Sequence, residues 1–247
     1  GTGNDSISLD YFCSDNVIKY ASGDGNDTVS GFNETSMLII GGDTSTYSTQ
    51  VSGDDIIVTV DKGAILLREA AHLPYINING TLVNAGKTIN NTASNKTING
   101  TDANDSIENS GNKVKINGLA GNDTIYSTGN KVTIDGGNDN DRLENSGANV
   151  SINGGEGNDD IGNIGENVTI TSGEGHDSVY TYADNVTIDS GEGNDSITNA
   201  YNKNISIFGG AGADSIYNVA SSYVTINGGA GDDTIANGGT NISVNGG

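Results

Sequence analysis

From about residue 96 to the end of this 247-residue chain, apolar positions return at a fixed interval. One file is Ile107, Ile125, Leu143, Ile161, Val179, Ile197, Ile216 and Ile235. A second set comes in pairs, Val-x-Ile or a close variant: Val114/Ile116, Val132/Ile134, Val150/Ile152, Val168/Ile170, Val186/Ile188, Ile205/Ile207, Val224/Ile226 and Ile242/Val244. Alternation along a strand sends both members of a pair to one face. Each period thus turns three apolar side chains inward, and stacked periods form aliphatic ladders about 4.8 Å apart. The pattern predicts an all-β fold, a parallel β-roll or β-solenoid with one coil per 18–19 residues.

Between the apolar sets lies a glycine-rich turn that ends in a carboxylate. Its fullest form is Gly154-Gly155-Glu156-Gly157-Asn158-Asp159-Asp160-Ile161, or Gly-Gly-x-Gly-x-Asp-x-apolar. The closing residues Asp105, Asp123, Asp141, Asp159, Asp177 and Asp195 follow one another at 18 residues, and Asp214 and Asp233 at 19. Four residues beyond each Asp stands Asn109, Asn145, Asn163, Asn199, Asn218 or Asn237, with Ser127 and Thr181 as substitutes. The second turn of each coil carries no Asp. Lys113, Lys131, Asn149, Asn167, Asn185, Asn204, Tyr223 and Asn241 stand there, which predicts an Asn-lined edge able to pass amide hydrogen bonds from coil to coil.

The pattern divides the chain into three parts. Residues 1–29 hold two turns of the same kind, around Asp5 and Asp27, separated by an irregular stretch from Tyr11 to Asp15. Residues 30–95 leave the register and read as a small β insert or cap; residues 96–247 form the main array. Within the insert, Met37 to Ile40 is a short apolar run and Asp55 to Val60 is strand-like. Asp61-Lys62-Gly63 suits a hairpin loop into Ala64 to Leu67, Arg68 to His72 suits a helical turn, and Tyr75 to Gly80 alternates like a strand.

Composition narrows the functional classes. The formal net charge is −22, and Lys and Arg total ten, of which only Arg68 and Arg142 are Arg. Such a chain is unsuited to nucleic acid phosphates. No apolar run reaches membrane-spanning length. Cys13 is alone, so the chain holds no internal disulfide. His72 and His176 are the only histidines and lie far apart in sequence, with no second His or Cys near either to make a zinc site. With so few acid/base candidates, the residues predict a non-catalytic chain.

The turns Gly154 to Asp159, Ser172 to Asp177, Ser190 to Asp195, Gly209 to Asp214 and Gly228 to Asp233 resemble those of the RTX (repeats-in-toxin) calcium-binding β-rolls, the hemolysin-type repeats of secreted bacterial proteins. The resemblance covers about two thirds of the chain. It implies several Ca2+ ions held by turn carbonyls and by Asp carboxylates of successive coils. Carried onto this sequence, the metal-site residues are Asp5, Asp27, Gly121, Asp123, Asp141, Gly154, Glu156, Asp159, Gly173, Gly175, Asp177, Gly191, Gly193, Asp195, Gly209, Ala211, Asp214, Gly228, Ala230 and Asp233. It also implies an extracellular setting, secreted or cell-surface, in which calcium folds the chain into a rigid rod. Two departures stand out. The turn before Asp105 lacks the inner glycines, and Asp139 replaces a turn glycine, a substitution Asp tolerates better than most residues.

The chemistry points the same way without the resemblance. Stacking one Asp on another at strand spacing is repulsive unless a cation lies between them. Calcium accepts 6–8 hard oxygen ligands in tolerant geometry. Two other expectations follow from the residues. Gly247 set before Gly1-Thr2-Gly3-Asn4-Asp5 recreates the turn motif, which predicts end-to-end self-association of a fibre subunit. Tyr126, Tyr180 and Tyr217 share one offset from the turn Asp, as a glycan-binding or adhesive stripe would require.

Overall fold

The computed structural model describes residues 3–9, 16–21, 23–33, 36–41, 47–52, 55–60, 63–68, 70, 76–79, 81–83 and 86–247. Among these every regular element is a β-strand, and no helix is long and apolar enough to cross a membrane. The chain forms two compact units, Gly1–Thr88 with Thr101–Ala103, and Ile89–Gly100 with Asn104–Gly247.

In the larger unit each period of the sequence is one coil with a short and a long strand. The short strands run from Thr88–Asn91 and Ser106–Asn109 through Thr124–Ser127 to Thr234–Asn237 and form one nine-stranded sheet. The long strands, from Thr97–Asn99 and Lys115–Ala120 to Thr240–Asn245, form a second. Every pairing is parallel and displaced by one coil: Ile107 lies opposite Ile125, Ile125 opposite Leu143, and Leu143 opposite Ile161. The parallel β-solenoid read from the pattern is the observed fold.

The three inward positions of each coil make the core. Ile107, Ile125, Leu143, Ile161, Val179, Ile197 and Ile216 are fully buried from one sheet, and Val114/Ile116 through Val224/Ile226 are buried from the other. The end coils depart, with Ile89 at one end and Ile235 and Ile242 at the other partly buried, and Val244 exposed. A fully buried aliphatic side chain contributes about 1.5–3 kcal/mol relative to exposure. The apolar ladders therefore hold the coil's two flat sides, while its two corners depend on polar groups alone.

The smaller unit uses the same logic with an interruption. Ser6–Ser8, Asn26–Ser30 and Gly63–Arg68 pair in parallel, as do Val17–Ala21, Met37–Gly41 and Ile76–Ile78. Between Met37–Gly41 and Gly63–Arg68 the chain makes Tyr47–Ser52 and Asp55–Val60, which pair antiparallel with each other. Asp55–Val60 is also antiparallel to Gly63–Arg68, with Val60 opposite Gly63, so Gly63, expected in the hairpin loop, opens a strand instead, and residues 61 and 62 lie outside the described residues. Its own core includes Val29, Phe32, Leu38, Val58, Leu67 and Ile78. The helical turn expected over Arg68 to His72 does not include Arg68, which ends a strand paired with Ser30, and residues 69, 71 and 72 lie outside the described residues. Residues 71–75, including His72, lie outside the described residues, as does the stretch from Tyr11 to Asp15 with Cys13.

Candidate functional site: the aspartate row

The glycine-rich turn bends the chain from the long strand of one coil into the short strand that follows. Gly155 and Gly157 both have φ +123, where a side chain is strained. A Cβ at either would also strike a carbonyl of the preceding coil, that of Gly137 or of Asp139. Gly121, Gly173, Gly175, Gly191 and Gly193 share the positive-φ conformation. Asp139 adopts φ +75 in the place of a glycine, as expected, and its Oδ2 accepts a hydrogen bond from the Gly121 amide at 3.1 Å.

This turn delivers one Asp per coil to the same inward position. Asp105, Asp123, Asp141, Asp159, Asp177, Asp195 and Asp214 are all buried, each at most 3% exposed. The main chain explains half of their chemistry. The amide of each Asp donates to Oδ1 of the Asp one coil on: Asp105 to Asp123 at 2.7 Å, then Asp123 to Asp141, Asp141 to Asp159, Asp159 to Asp177, Asp177 to Asp195 and Asp195 to Asp214, each at 2.8 Å, and Asp214 to Asp233 at 3.0 Å. In the smaller unit the Asp5 amide donates to Asp27 Oδ1 at 2.9 Å in the same way.

The second oxygen has no such partner. Oδ2 of Asp123, Asp141, Asp159, Asp177, Asp195, Asp214 and Asp233 is buried and accepts no hydrogen bond. Its surroundings are defined by the first residue of the turn. A Cβ at Gly118, Gly136, Gly154, Gly209 or Gly228 would strike Oδ2 of its own coil's Asp and the carbonyl oxygen of the first turn residue one coil on. Two oxygens, the carboxylate Oδ2 and the carbonyl of the next coil, thus both face each of these glycines. The strand register also passes over this residue, going from Asp135 opposite Asn153 to Gly137 opposite Gly155.

An unsatisfied buried carboxylate is costly, so the free carboxyls favour the protonated form. Burial pushes Asp123 up to about 8, Asp141 up to about 7 and Asp159 up to about 6, opposed in part by the amide donors and reinforced by neighbouring Asp charges. Burial raises Asp177, Asp195 and Asp214 as well. A proton or a cation is what each Oδ2 lacks. Among the described residues no three His, Cys, Asp or Glu side chains converge on one point. An ion here must draw on backbone carbonyls together with carboxylates, the all-oxygen mixture that calcium takes. The residues present fit that group.

Other expected residues take supporting places. Glu156, Glu174 and Glu192 pair in register at the exposed third turn position, and Ala211 and Ala230 continue that file. Stacked like charges are unfavourable and add to the local demand for a cation. The Asn-lined second turn differs from the sequence reading. Lys113, Lys131, Asn149, Asn167, Asn185, Asn204, Tyr223 and Asn241 all have φ between +54 and +60, so this position selects for the left-handed backbone that Asn accepts readily. Side-chain bonds pass only along Asn167, Asn185 and Asn204, at 3.1 and 2.9 Å. The longer amide ladder lies deeper, at the Asn four residues after the turn Asp. Asn145 Nδ2 donates to Asn163 Oδ1 at 2.8 Å, and Asn199 Nδ2 to Asn218 Oδ1 at 2.6 Å.

The sequence reading overlooked one further file, the residue just before each turn Asp. Its side chain accepts from the amide one coil on: Asn104 from Asn122, Asn122 from Asn140, Asn140 from Asn158, Asn158 from His176 and Asn194 from Ala213. His176 joins it by accepting from the Asn194 amide on Nδ1 at 2.8 Å. The recurrent Asn before Asp was visible as a signal. Tyr126, Tyr180 and Tyr217 do share one outward file, each between 41% and 47% exposed, but Glu144, Gly162 and Thr198 separate them.

A family model for the RTX calcium-binding nonapeptide repeat matches the chain in four copies, over residues 117–149, 169–199, 206–218 and 223–241. No curated protein and no solved structure matches the chain. The matched segments carry Asp123, Asp141, Asp177, Asp195, Asp214 and Asp233, six members of the row whose Oδ2 oxygens lack a partner. Four copies of the RTX calcium-binding repeat therefore lie within this β-solenoid, as the resemblance of its turns implied.

Proposed function

We propose that the chain is a non-catalytic calcium-dependent module of a secreted or cell-surface protein, whose main array folds and stiffens when it meets extracellular calcium. The observation that carries this reading is the row of buried carboxylate oxygens with no hydrogen-bond partner, Asp123 to Asp233. A fold that buries seven such oxygens is disfavoured while they are ionised and unaccompanied. Divalent cations remove that penalty, so binding and folding are coupled. In this reading the Asp carboxylates and turn carbonyls hold Ca2+, and the turn glycines permit the close approach of neighbouring coils. Calcium supplies positive charge between the coils. The chain itself supplies oxygen ligands, a fixed coil spacing and a dry aliphatic core beneath them.

The test is a calcium titration of the chelator-treated chain followed by far-UV circular dichroism, with magnesium as a parallel arm. Gain of β signal with calcium at concentrations where magnesium does little supports the reading. A full β signal in excess chelator at neutral pH overturns it.

A further inference from the structure

The aspartate row is uniform in its carboxylates but not in what faces them. Six coils begin the turn with glycine: Gly100, Gly118, Gly136, Gly154, Gly209 and Gly228. Two consecutive coils in the middle begin it with serine, Ser172 and Ser190, and both side chains are completely buried. A buried serine at a position where a Cβ crowds an oxygen pair needs an account, since glycine fits there without difficulty.

The hydroxyls provide one. Ser172 Oγ donates to the Ser190 carbonyl at 3.1 Å. Ser190 Oγ lies at hydrogen-bond distance from the carbonyls of Phe208 and Gly209, and its single proton goes to one of them. The acceptor served is the first-turn carbonyl one coil on, the group that in the glycine coils faces the same glycine as Asp Oδ2. Here the chain brings an additional donor to the carbonyl that faces the carboxylate. Ser172 and Ser190 also lie close enough to the Asp177 and Asp195 carboxyls to oppose the rise that burial causes, although Oδ2 of each still accepts no hydrogen bond.

The opposite corner of the same coils is reinforced independently. Asn202 is buried and donates to Asn199 Oδ1 at 2.7 Å, with its own Oδ1 left without a partner, while Asn199 donates to Asn218 at 2.6 Å and to Ser221 Oγ at 3.2 Å. These bonds are between uncharged groups and need no ion.

We infer that Ser172 and Ser190 make the middle of the array its least calcium-dependent part, a segment that keeps its coil register in low calcium and from which the glycine-led coils extend on either side. This rests on the calcium reading above. The serines act as positioning residues through the carbonyls they bind, not as ion ligands.

The test is the double variant S172A/S190A, which keeps each Cβ and removes each hydroxyl, compared with wild type in chelator and in saturating calcium. Hydrogen exchange resolved along the chain and the calcium-binding isotherm are the readouts. In chelator, wild-type amides of coils 168–221 exchange more slowly than those of coils 115–163. The variant loses that difference, with opening of those coils increased about fivefold to tenfold, as loss of a hydrogen bond predicts. In calcium its ion affinity and stoichiometry match wild type.

A fall in calcium affinity or stoichiometry in the variant would make the hydroxyls ligands and overturn the inference. Uniform exchange along the wild-type array in chelator would also overturn it. Protection that calcium does not change anywhere would sink the calcium reading instead, while leaving the local effect of the serines measurable. If the variant does not fold in chelator, its isotherm in calcium still separates ligand from positioning residue.

Discussion

At one corner of each coil, Asp159 takes the Asp141 amide on Oδ1 and leaves Oδ2 buried with nothing to accept. Near the other corner, Asn145 uses both ends of its side chain: Oδ1 accepts from the Gly147 amide at 3.0 Å, and Nδ2 donates to the Gly147 carbonyl at 2.9 Å and to Asn163 at 2.8 Å. The two side chains have the same shape and each links one coil to the next. They differ by a donor and a charge. Asn closes its corner with atoms of the chain, whereas Asp keeps one buried oxygen that no group of the chain satisfies. One edge of the solenoid is therefore self-sufficient and the other is conditional, and exchanging the two residues tests that contrast directly.

The largest effect is expected from putting the acid on the amide edge. In N145D the new oxygen faces the Gly147 carbonyl and Asn163 Oδ1, with no turn glycines beside it to bring carbonyls round an ion. Burial of an unpaired charge costs about 3–5 kcal/mol. Chemical denaturation in saturating calcium should show that loss undiminished. Rescue by calcium would show that any buried Asp in a stacked coil makes an ion site, and the contrast between edges would fail.

The reverse exchange should move stability the other way. In D159N the amide keeps the Asp141 bond on Oδ1 and offers Nδ2 to the Ser172 carbonyl that Oδ2 now lies against. In chelator the variant is expected to gain about 1–3 kcal/mol, the cost of one unsatisfied buried group. In calcium it is expected to bind fewer ions than wild type by isothermal titration. A variant weaker than wild type in chelator would mean that Oδ2 already has what it needs.

Protons offer a gentler probe of the same edge. The folded-state values of Asp123, Asp141 and Asp159 lie above the ordinary 3.8, at about 8, 7 and 6. A raised carboxyl holds its proton more tightly in the fold than in the unfolded chain. Its contribution is fully present below about pH 4 and is lost as pH rises through 6 to 8. The chelated array should therefore be more stable at pH 5 than at pH 8.5, while calcium affinity rises over the same interval because protons leave the ligands. Thermal melts in chelator and calcium titrations at both pH values check the two opposite slopes. The amide edge contributes nothing to either.

How far the sequence discloses this depends on which atoms do the work. The aliphatic ladders were legible because period and alternation alone decide them, as Ile107 to Ile216 show. The Asp row was legible because one residue type recurs at one phase. The splitting of each carboxylate into a satisfied and an unsatisfied oxygen was not, since it depends on which amide Oδ1 meets. The Asn of the second turn misled for a related reason: Asn is favoured both by side-chain ladders and by left-handed backbone, and at Asn149 and Asn241 only the backbone explanation has support. Residues 30–95 read as an insert because a hairpin, Tyr47–Ser52 with Asp55–Val60, interrupts the period. Met37–Gly41 still stacks on Val17–Ala21, which no local pattern reveals.

The smallest expected effect concerns His176, which stands where the other coils have Asn. Its amide donates to Asn158 Oδ1 at 2.7 Å, and its Nδ1 accepts from the Asn194 amide at 2.8 Å, so the ring holds its proton on Nε2 in this arrangement. In H176N an amide oxygen should restore the file, and stability should change by no more than about 0.5 kcal/mol. H176L keeps bulk but leaves the Asn194 amide to solvent, and is expected to lose about 0.5–1.5 kcal/mol. Denaturant melts of both variants in calcium separate the explanations. Equal stability of H176L and wild type would mean that this outer file follows the coil geometry without supporting it, and that the acid edge has no self-sufficient component beyond its paired Oδ1 atoms.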